Sequence, residues 1–450
     1  MKSIVCALAI TAGLAVASAI GGEVRLITLD PAHFHAALVQ KSTLPGVSPI
    51  VHVYAPAGPE MQAHLDLIHG YNTRADNPTH WQEQVYTGAD FLDRMISEHA
   101  GNVVVISGNN AKKTQYIARA VKAGFNVLSD KPMAITAADF PVLTDAFSRA
   151  AKMKVLLCDI MTERHEITTT LQRALSRQPA LFGTQETGTP DDPAMTEASV
   201  HYFYKLVSGK PLTRPPWFYD TTQQGEGIVD VATHLVDLVQ WECFPDQTLA
   251  IADVRLLKAR HWTTPVTPAQ FKKSTGIDNW PDYLKKNVGS DGNLGIYANG
   301  EMTYTLRGVH AKVTVTWDFQ PPPGGGDTHY SVMRGTQAAL IIRQGQEQNF
   351  EPTLYVENRG ARPAPACAAA LQNALANLAP AWPGLAAEPV GEGVWKIVIP
   401  AKYRVGHEAH FAQVTKDYLH SLAQGHLPAW EVPNMIVKYY TTTRAWQMCR

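Results

Sequence analysis

The chain has 450 residues, 45% hydrophobic and 18% charged, enough for a large core spread over two domains. With 39 basic against 40 acidic residues and no long run of one sign, it lacks the electrostatic footprint of a nucleic-acid binder. Cys158, Cys243, Cys367 and Cys449 lie far apart with no CxxC pair. Their even number permits disulfides, but a chain of this size does not need them, and no bridge is predicted.

Residues 1–19 read as a secretory leader: Lys2 gives a short positive region, 4–16 is apolar, and Ala17-Ser18-Ala19 fits a cleavage site, removing Cys6 with the leader. The alternative is a membrane anchor, but the apolar run is near the lower limit for spanning and Gly13 interrupts it. No later stretch is long and apolar enough to span, so the mature protein is expected in the periplasm or secreted, with no membrane contact.

From residue 22 to 157 strand-like and helix-like stretches alternate. Strands are predicted at 24–29 (VRLITL), 50–54 (IVHVY), 103–107 (VVVIS), 125–128 and 155–157, with helices at 32–40, 91–99, 112–123 and 137–151. Such alternation signals a parallel sheet covered by helices, here a Rossmann-like α/β domain, with a boundary near 158. Beyond it, from 158 to 450, alternating runs at 251–257, 301–306 and 311–319 (AKVTVTWDF) predict an α+β domain with an open, mostly antiparallel sheet. The segment 320–327 (QPPPGGGD) should be a loop, 360–392 a surface insertion with one helix at 367–378, and 404–447 the closing helices.

Two segments carry chemistry. LSDKPMA (128–134) follows an apolar run, which puts Lys131 on a strand-to-loop edge, the edge that faces the ligand crevice in open parallel sheets. In GEGIVDVATHLVDLVQW (225–241), Ile228, Val231, Leu235 and Leu238 have helical spacing, which puts Asp230 and His234 on one face. DKP resembles the EKP motif, and GEGIVDVATHLVD the GG-x-x-x-D-x-x-x-H-x-x-D motif, of the glucose-fructose oxidoreductase and inositol dehydrogenase (Gfo/Idh/MocA) family. The resemblance spans roughly 24–245, with further support from 410–430, similar to the family's closing helix. It implies a nicotinamide cofactor, NAD or NADP, in the first domain, and a carbohydrate or cyclitol-like secondary alcohol on the second. If the protein is exported, the cofactor should be tightly held.

On that reading Lys131 stabilises charge on the reacting oxygen, His234 is the general base, and Asp230 holds the substrate hydroxyl or orients the histidine. The glycine-rich fingerprint is missing, and LDPAHFHA stands in its place. Asp30 is expected to cap a helix that Pro31 opens, leaving amides near Ala32 for a phosphate. His33 and His35 are read as pocket-wall or cofactor contacts, since two imidazoles two apart on a helix diverge and no cluster completes a metal set. Ser107, Asn109 and Asp130 are further cofactor contacts, although the SGNN run is also an ordinary turn. Tyr54, Ala55 and Pro56 occupy the place of the ribose-binding acid, so NAD and NADP stay equally open. Tyr204, Lys205 and Trp217 suggest a sugar-facing wall, with core packing as the plain alternative. Two other functions fit: an NAD-dependent glycosidase using transient sugar oxidation, and a non-enzymatic sugar-binding protein on a degenerate scaffold. A homo-oligomer through the C-terminal sheet is a further possibility.

Overall fold

A computed structural model describes residues 23–207, 210–360 and 362–450. The leader expected at 1–19 lies outside the described residues. The chain divides into two compact units, one of residues 1–162 with 407–435, the other of 163–406 with 436–450.

The first unit holds a six-stranded parallel sheet: β1 Leu26–Leu29, β2 Ile50–Tyr54, β3 Gln82–Tyr86, β4 Val103–Ile106, β5 Asn126–Asp130 and β6 Leu157–Ile160. Their spatial order is β3-β2-β1-β4-β5-β6, the doubly wound order in which the chain reverses direction between β1 and β4. β1 and β4 are buried throughout, which is why their residues form unbroken apolar runs. The last strand runs to Ile160, past the boundary expected at 158, and Cys158 lies within it. Helix His407–Gln424, expected with the second domain, belongs to this unit. Its Phe411, Val414, Tyr418, Leu419 and Leu422 complete the core formed by Val24, Leu26, Val51, Val103 and Leu128. The closing helices expected at 404–447 are two, this one and Glu431–Met448.

The second unit is a nine-stranded mixed sheet: β7 Met195–Tyr202, β8 Val254–Val266, β9 Leu294–Leu306, β10 Val309–Asp318, β11 Thr328–Arg334, β12 Ala338–Arg343, β13 Thr353–Asn358, β14 Ala386–Gly391 and β15 Val394–Val398. The spatial order is β8-β9-β10-β7-β11-β12-β13-β15-β14. Only β7 and β10 pair in parallel; the other pairs are antiparallel. Residues 320–327 form a loop as expected, but 360–392 is not merely an insertion, because β14 extends the sheet edge beyond helix Ala364–Leu378. Helices Ile167–Ser176 and Ala232–Cys243 pack on the sheet. No helix among the described residues is long and apolar enough to cross a membrane, and no two described cysteines are bridged.

Helix Ala232–Cys243 carries an uncompensated carboxyl group on its buried side. Glu242 is fully buried, and neither of its oxygens has a hydrogen-bond partner among the described residues. Burial, reinforced by the charge of buried Glu197, pushes it well above the usual carboxylate range. Its folded-state affinity for a proton therefore exceeds that of the unfolded chain. Both states are protonated below about pH 4.5, and stability falls as pH rises from there through the raised value, by up to about 1.4 kcal/mol per pH unit. Glu242→Gln should match wild type near pH 4 and become progressively more stable as pH rises. Parallel thermal melts across that range test this, and a constant difference would show the carboxyl to be satisfied.

Candidate active site

In the first unit the carboxyl ends of β1, β4 and β5 gather the polar residues. Asp30, just after β1, has a left-handed φ of 47°, a conformation aspartate tolerates better than most residues. Gly108 allows this turn to lie against the end of β4, since a Cβ there would stand 2.4 Å from the Asp30 carbonyl oxygen. Asp30 does not cap a helix: its carboxylate accepts from Tyr116 Oη at 2.8 Å and Lys112 Nζ at 3.3 Å. The expected helix at 32–40 shrinks to His35–Leu38, with no side-chain cap. The amides meant for a phosphate are already engaged, Ala32 N with Asp30 O at 2.9 Å and His33 N with Ser107 O at 3.3 Å. Pro31 is buried within this turn.

His33 lies outside the shortened helix, and the two imidazoles converge instead of diverging. His35 Nδ1 is 3.0 Å and His33 Nδ1 3.4 Å from Asp130 Oδ2, with ring centroids 4.1 Å apart. Ser107 Oγ donates to the same oxygen at 3.0 Å. Lys113, buried in helix Asn110–Lys122, donates to the carbonyl oxygens of Asp130 and Lys131 at 3.0 and 3.2 Å. Burial, helped by the charge of His33, holds His35 well below the ordinary histidine value. Burial alone would push Asp130 up, but His35, His33 and Lys113 outweigh it and keep the carboxyl ionised, well below its usual range. Lys131 follows β5 directly, as expected from the sequence. Asn109 caps helix Asn110–Lys122, accepting from Ala111 N at 3.1 Å, which satisfies the ordinary structural reading of SGNN.

In the second unit Asp230 and His234 are not on one regular helix. Helix Ala232–Cys243 begins after Asp230. The preceding turn is wide and then tight: Ala232 N reaches Gly227 O at 3.2 Å, whereas Thr233 N reaches Asp230 O at 3.2 Å. Asp230 is buried and accepts from Gln224 Nε2 at 2.9 Å. The turn is pressed onto β9, because a Cβ on Gly227 would fall 1.8 Å from Ala298 O. Further along the helix, buried Asp237 takes Arg164 Nε and Nη2 at 2.6 and 2.7 Å and Lys438 Nζ at 2.8 Å. Burial works against its charge, but the two cations hold it well below the carboxylate range.

The expected sugar wall is only partly there. Trp217 is buried and is explained by packing. Tyr204 stacks on Phe319 with centroids 6.0 Å apart, and Lys273 Nζ lies 4.1 Å over its ring. Lys205 pairs with Asp327, which also receives His201 Nδ1 at 3.0 Å. Sequence reasoning placed His201 and Arg214 in the wall segment 201–220 without singling them out, and missed Asp327. Buried Arg214 donates to the carbonyl oxygens of Phe203 and Tyr202, both at 3.1 Å, and feels the charges of both Asp327 and Asp230. The available signal was the polar alternation Glu197, Ser199, His201 along β7, which puts three hydrogen-bonding residues on one side of a strand.

Known proteins resemble both units. The description "Oxidoreductase family, NAD-binding Rossmann fold" matches residues 33–157, and "Putative oxidoreductase C terminal domain" matches 171–450. A structure described as an oxidoreductase from Parabacteroides merdae is 55% identical, covering 95% of this chain and 98% of that one, with a TM-score of 0.93. Two more distant structures share the fold. A levoglucosan dehydrogenase in complex with NADH and levoglucosan is 15% identical, covering 95% and 97% at a TM-score of 0.58. A 3-ketoreductase from Actinomadura kijaniata with TDP-benzene and NADP is 13% identical, covering 94% and 96% at a TM-score of 0.54. Among curated proteins no match is found.

The Asp237 network anchors the helix that carries His234. Lys438→Met should leave the carboxylate with Arg164 alone and lower stability by on the order of 3 kcal/mol. Urea denaturation measures this, and a change below about 0.5 kcal/mol would show that Arg164 suffices.

Proposed function

The chain belongs to the Gfo/Idh/MocA family of NAD(P)-dependent oxidoreductases, and on that premise we propose that it acts outside the cytoplasm on a secondary alcohol of a carbohydrate or cyclitol, or on the matching ketone. The observation that carries this reading is Lys131 at the carboxyl edge of a parallel sheet of order 3-2-1-4-5-6, the edge where such sheets take their ligands. The sugar-related neighbours support the substrate class. Met1 to Ala19, read as a leader, supports export.

The residues around that edge fit a dinucleotide without a glycine cradle. His33, His35 and Ser107, held by Asp130, and Asn109, at the start of helix Asn110–Lys122, would line the cofactor's place where the amides of Ala32 and His33 are engaged, and Asp30, Pro31 and Ala32 shape the turn beneath them. Asp130 holds the two imidazoles. When bound, the nicotinamide supplies the hydride acceptor or donor. Lys131 then donates a hydrogen bond to the reacting oxygen and stabilises its developing charge. His234 takes the hydroxyl proton, and Asp230, steadied by Gln224, fixes a substrate hydroxyl. Lys205 with Asp327, beside Tyr204, offers a donor and an acceptor for further hydroxyls. A homo-oligomer through the nine-stranded sheet goes with this reading and is supported by exposed Tyr297 and Tyr330.

The engaged amides at 32 and 33 favour one rival, a sugar-binding protein that has lost its cofactor. Calorimetry with NAD and NADP separates the two. The oxidoreductase should bind one of them and melt at higher temperature with it, and neither heat nor thermal shift would favour the rival. In single turnovers with bound dinucleotide, His234→Ala and Lys131→Ala should each slow hydride transfer by roughly two to four orders of magnitude with little change in dinucleotide affinity. Wild-type rates in both would put the active site elsewhere. For export, N-terminal sequencing of the mature protein should begin near Ile20, and an intact Met1 on soluble cytoplasmic protein would overturn it.

A further inference from the structure

We propose that His33, His35 and Asp130 form a binding site for a divalent late transition-metal ion, with Zn2+ as the reference ion. Their ligand atoms all lie within 4.8 Å of one another. Two atoms bound to one ion at about 2.0–2.1 Å stand roughly 2.9 Å apart at right angles and roughly 3.4 Å apart at the tetrahedral angle. The 3.0 and 3.4 Å from the two Nδ1 atoms to Asp130 Oδ2 fall within that interval.

Without an ion, one carboxylate oxygen takes His35 and Ser107, with His33 Nδ1 3.4 Å away, and an ionised Asp130 requires the His35 proton on Nδ1. An ion replaces two of those three contacts with ligand bonds and leaves Ser107 Oγ donating to the ligating carboxylate, the outer support such sites ordinarily have.

The site is held before any ion arrives. His35 is buried, with its ring centroid 4.6 Å from Phe411 and 5.3 Å from His407, and the His33 ring meets it edge-on at 81°. Two histidines and one carboxylate are the donor set of many divalent transition-metal sites, with positions left open for water or a ligand. The site should therefore reject Mg2+ and Ca2+, which prefer oxygen-rich shells, and take ions that bind imidazole strongly. An ion here would supply positive charge beside a turn whose own amides at 32 and 33 are engaged.

The test uses the full-length protein stripped with a chelator, titrated with Zn2+ against a chromophoric competitor and with Co2+ under visible spectroscopy. One equivalent of Zn2+ should bind, excess Mg2+ should not compete, and Co2+ should give ligand-field bands. His35→Ala removes a buried ring, so the partly exposed His33→Ala and the near-isosteric Asp130→Asn carry the comparison, with circular dichroism confirming their fold. Each should weaken Zn2+ binding by roughly tenfold or more and alter the Co2+ bands. No stoichiometric uptake, or uptake with unchanged affinity and bands in both variants, would overturn the proposal, the latter assigning the ion to other histidines among the 17 in the chain. Because neither dinucleotide nor substrate is present, this result stands apart from the hydride-transfer reading.

Discussion

An ionised carboxylate buried at the carboxyl edge of a parallel sheet has to be surrounded by donors, and Asp130 meets that requirement by drawing in three segments from two crossings of the first unit. The turn after β1 sends His33 and His35, the end of β4 sends Ser107, and helix Asn110–Lys122 sends Lys113 to the adjacent carbonyls. Parallel strands put these segments side by side, so one side chain at the end of β5 can reach them all. The conformation of the 30–33 turn follows. Its backbone amides close on Asp30 and Ser107 and do not point at a ligand, because its side chains are committed to the carboxylate. The missing glycines and the convergent histidines are thus two sides of one arrangement.

The second unit is organised by close backbone approach. Gly227 is pressed against Ala298, and Gly300 on the same strand leaves room for Ile228. This contact sets where the turn ends and where helix Ala232–Cys243 begins. Asp230 remains in the turn, steadied by Gln224, while His234 enters the first turn of the helix. Glu226, buried in the same turn, is tied to His261 Nδ1 at 2.6 Å and Arg450 Nη2 at 2.9 Å, so the segment is pinned from the sheet side and from the chain's last residue.

The parallel sheet was legible because its central strands are uninterrupted apolar runs bounded by turn residues. The elements that were not legible lacked that signal for physical reasons. β3 (QEQVY) is an edge strand with most of its side chains in solvent, and helix Pro59–Thr73 buries little beyond His64 and Ile68. β7 hides behind polar residues on its buried side, Glu197 among them, whose partners His329 and Ser331 come from a strand more than 120 residues away. Lys131 could be located from the apolar run before it. The convergence of His33 with His35 could not, because helical periodicity was assumed for a stretch whose helix is only four residues long. Likewise Asp327 looked like the end of a proline- and glycine-rich loop, and only the fold brings it to His201 and Lys205.

Two carboxyl groups on one helix show how environment, not residue type, decides ionisation. Asp237 and Glu242 are equally buried, but the first faces two cations and is held well below the usual carboxylate range, whereas the second faces Glu197 and is pushed well above it. Their contributions to stability run in opposite directions. Asp237, whose folded value is depressed, contributes above the unfolded carboxylate range and loses that contribution as pH falls through it. Glu242 costs stability on the alkaline side. In the first unit His64, pushed down to about 4 by burial, adds a loss as pH falls below the ordinary histidine value. The acid limb therefore begins with a neutral histidine that must accept a proton and continues with a paired aspartate that must accept one. Glu242 opposes them, as a glutamate that must release a proton while buried when pH rises. His64 lies in the first unit and both carboxyl groups in the second, so a pH series read by a probe in each unit could separate the histidine step from the two carboxyl steps.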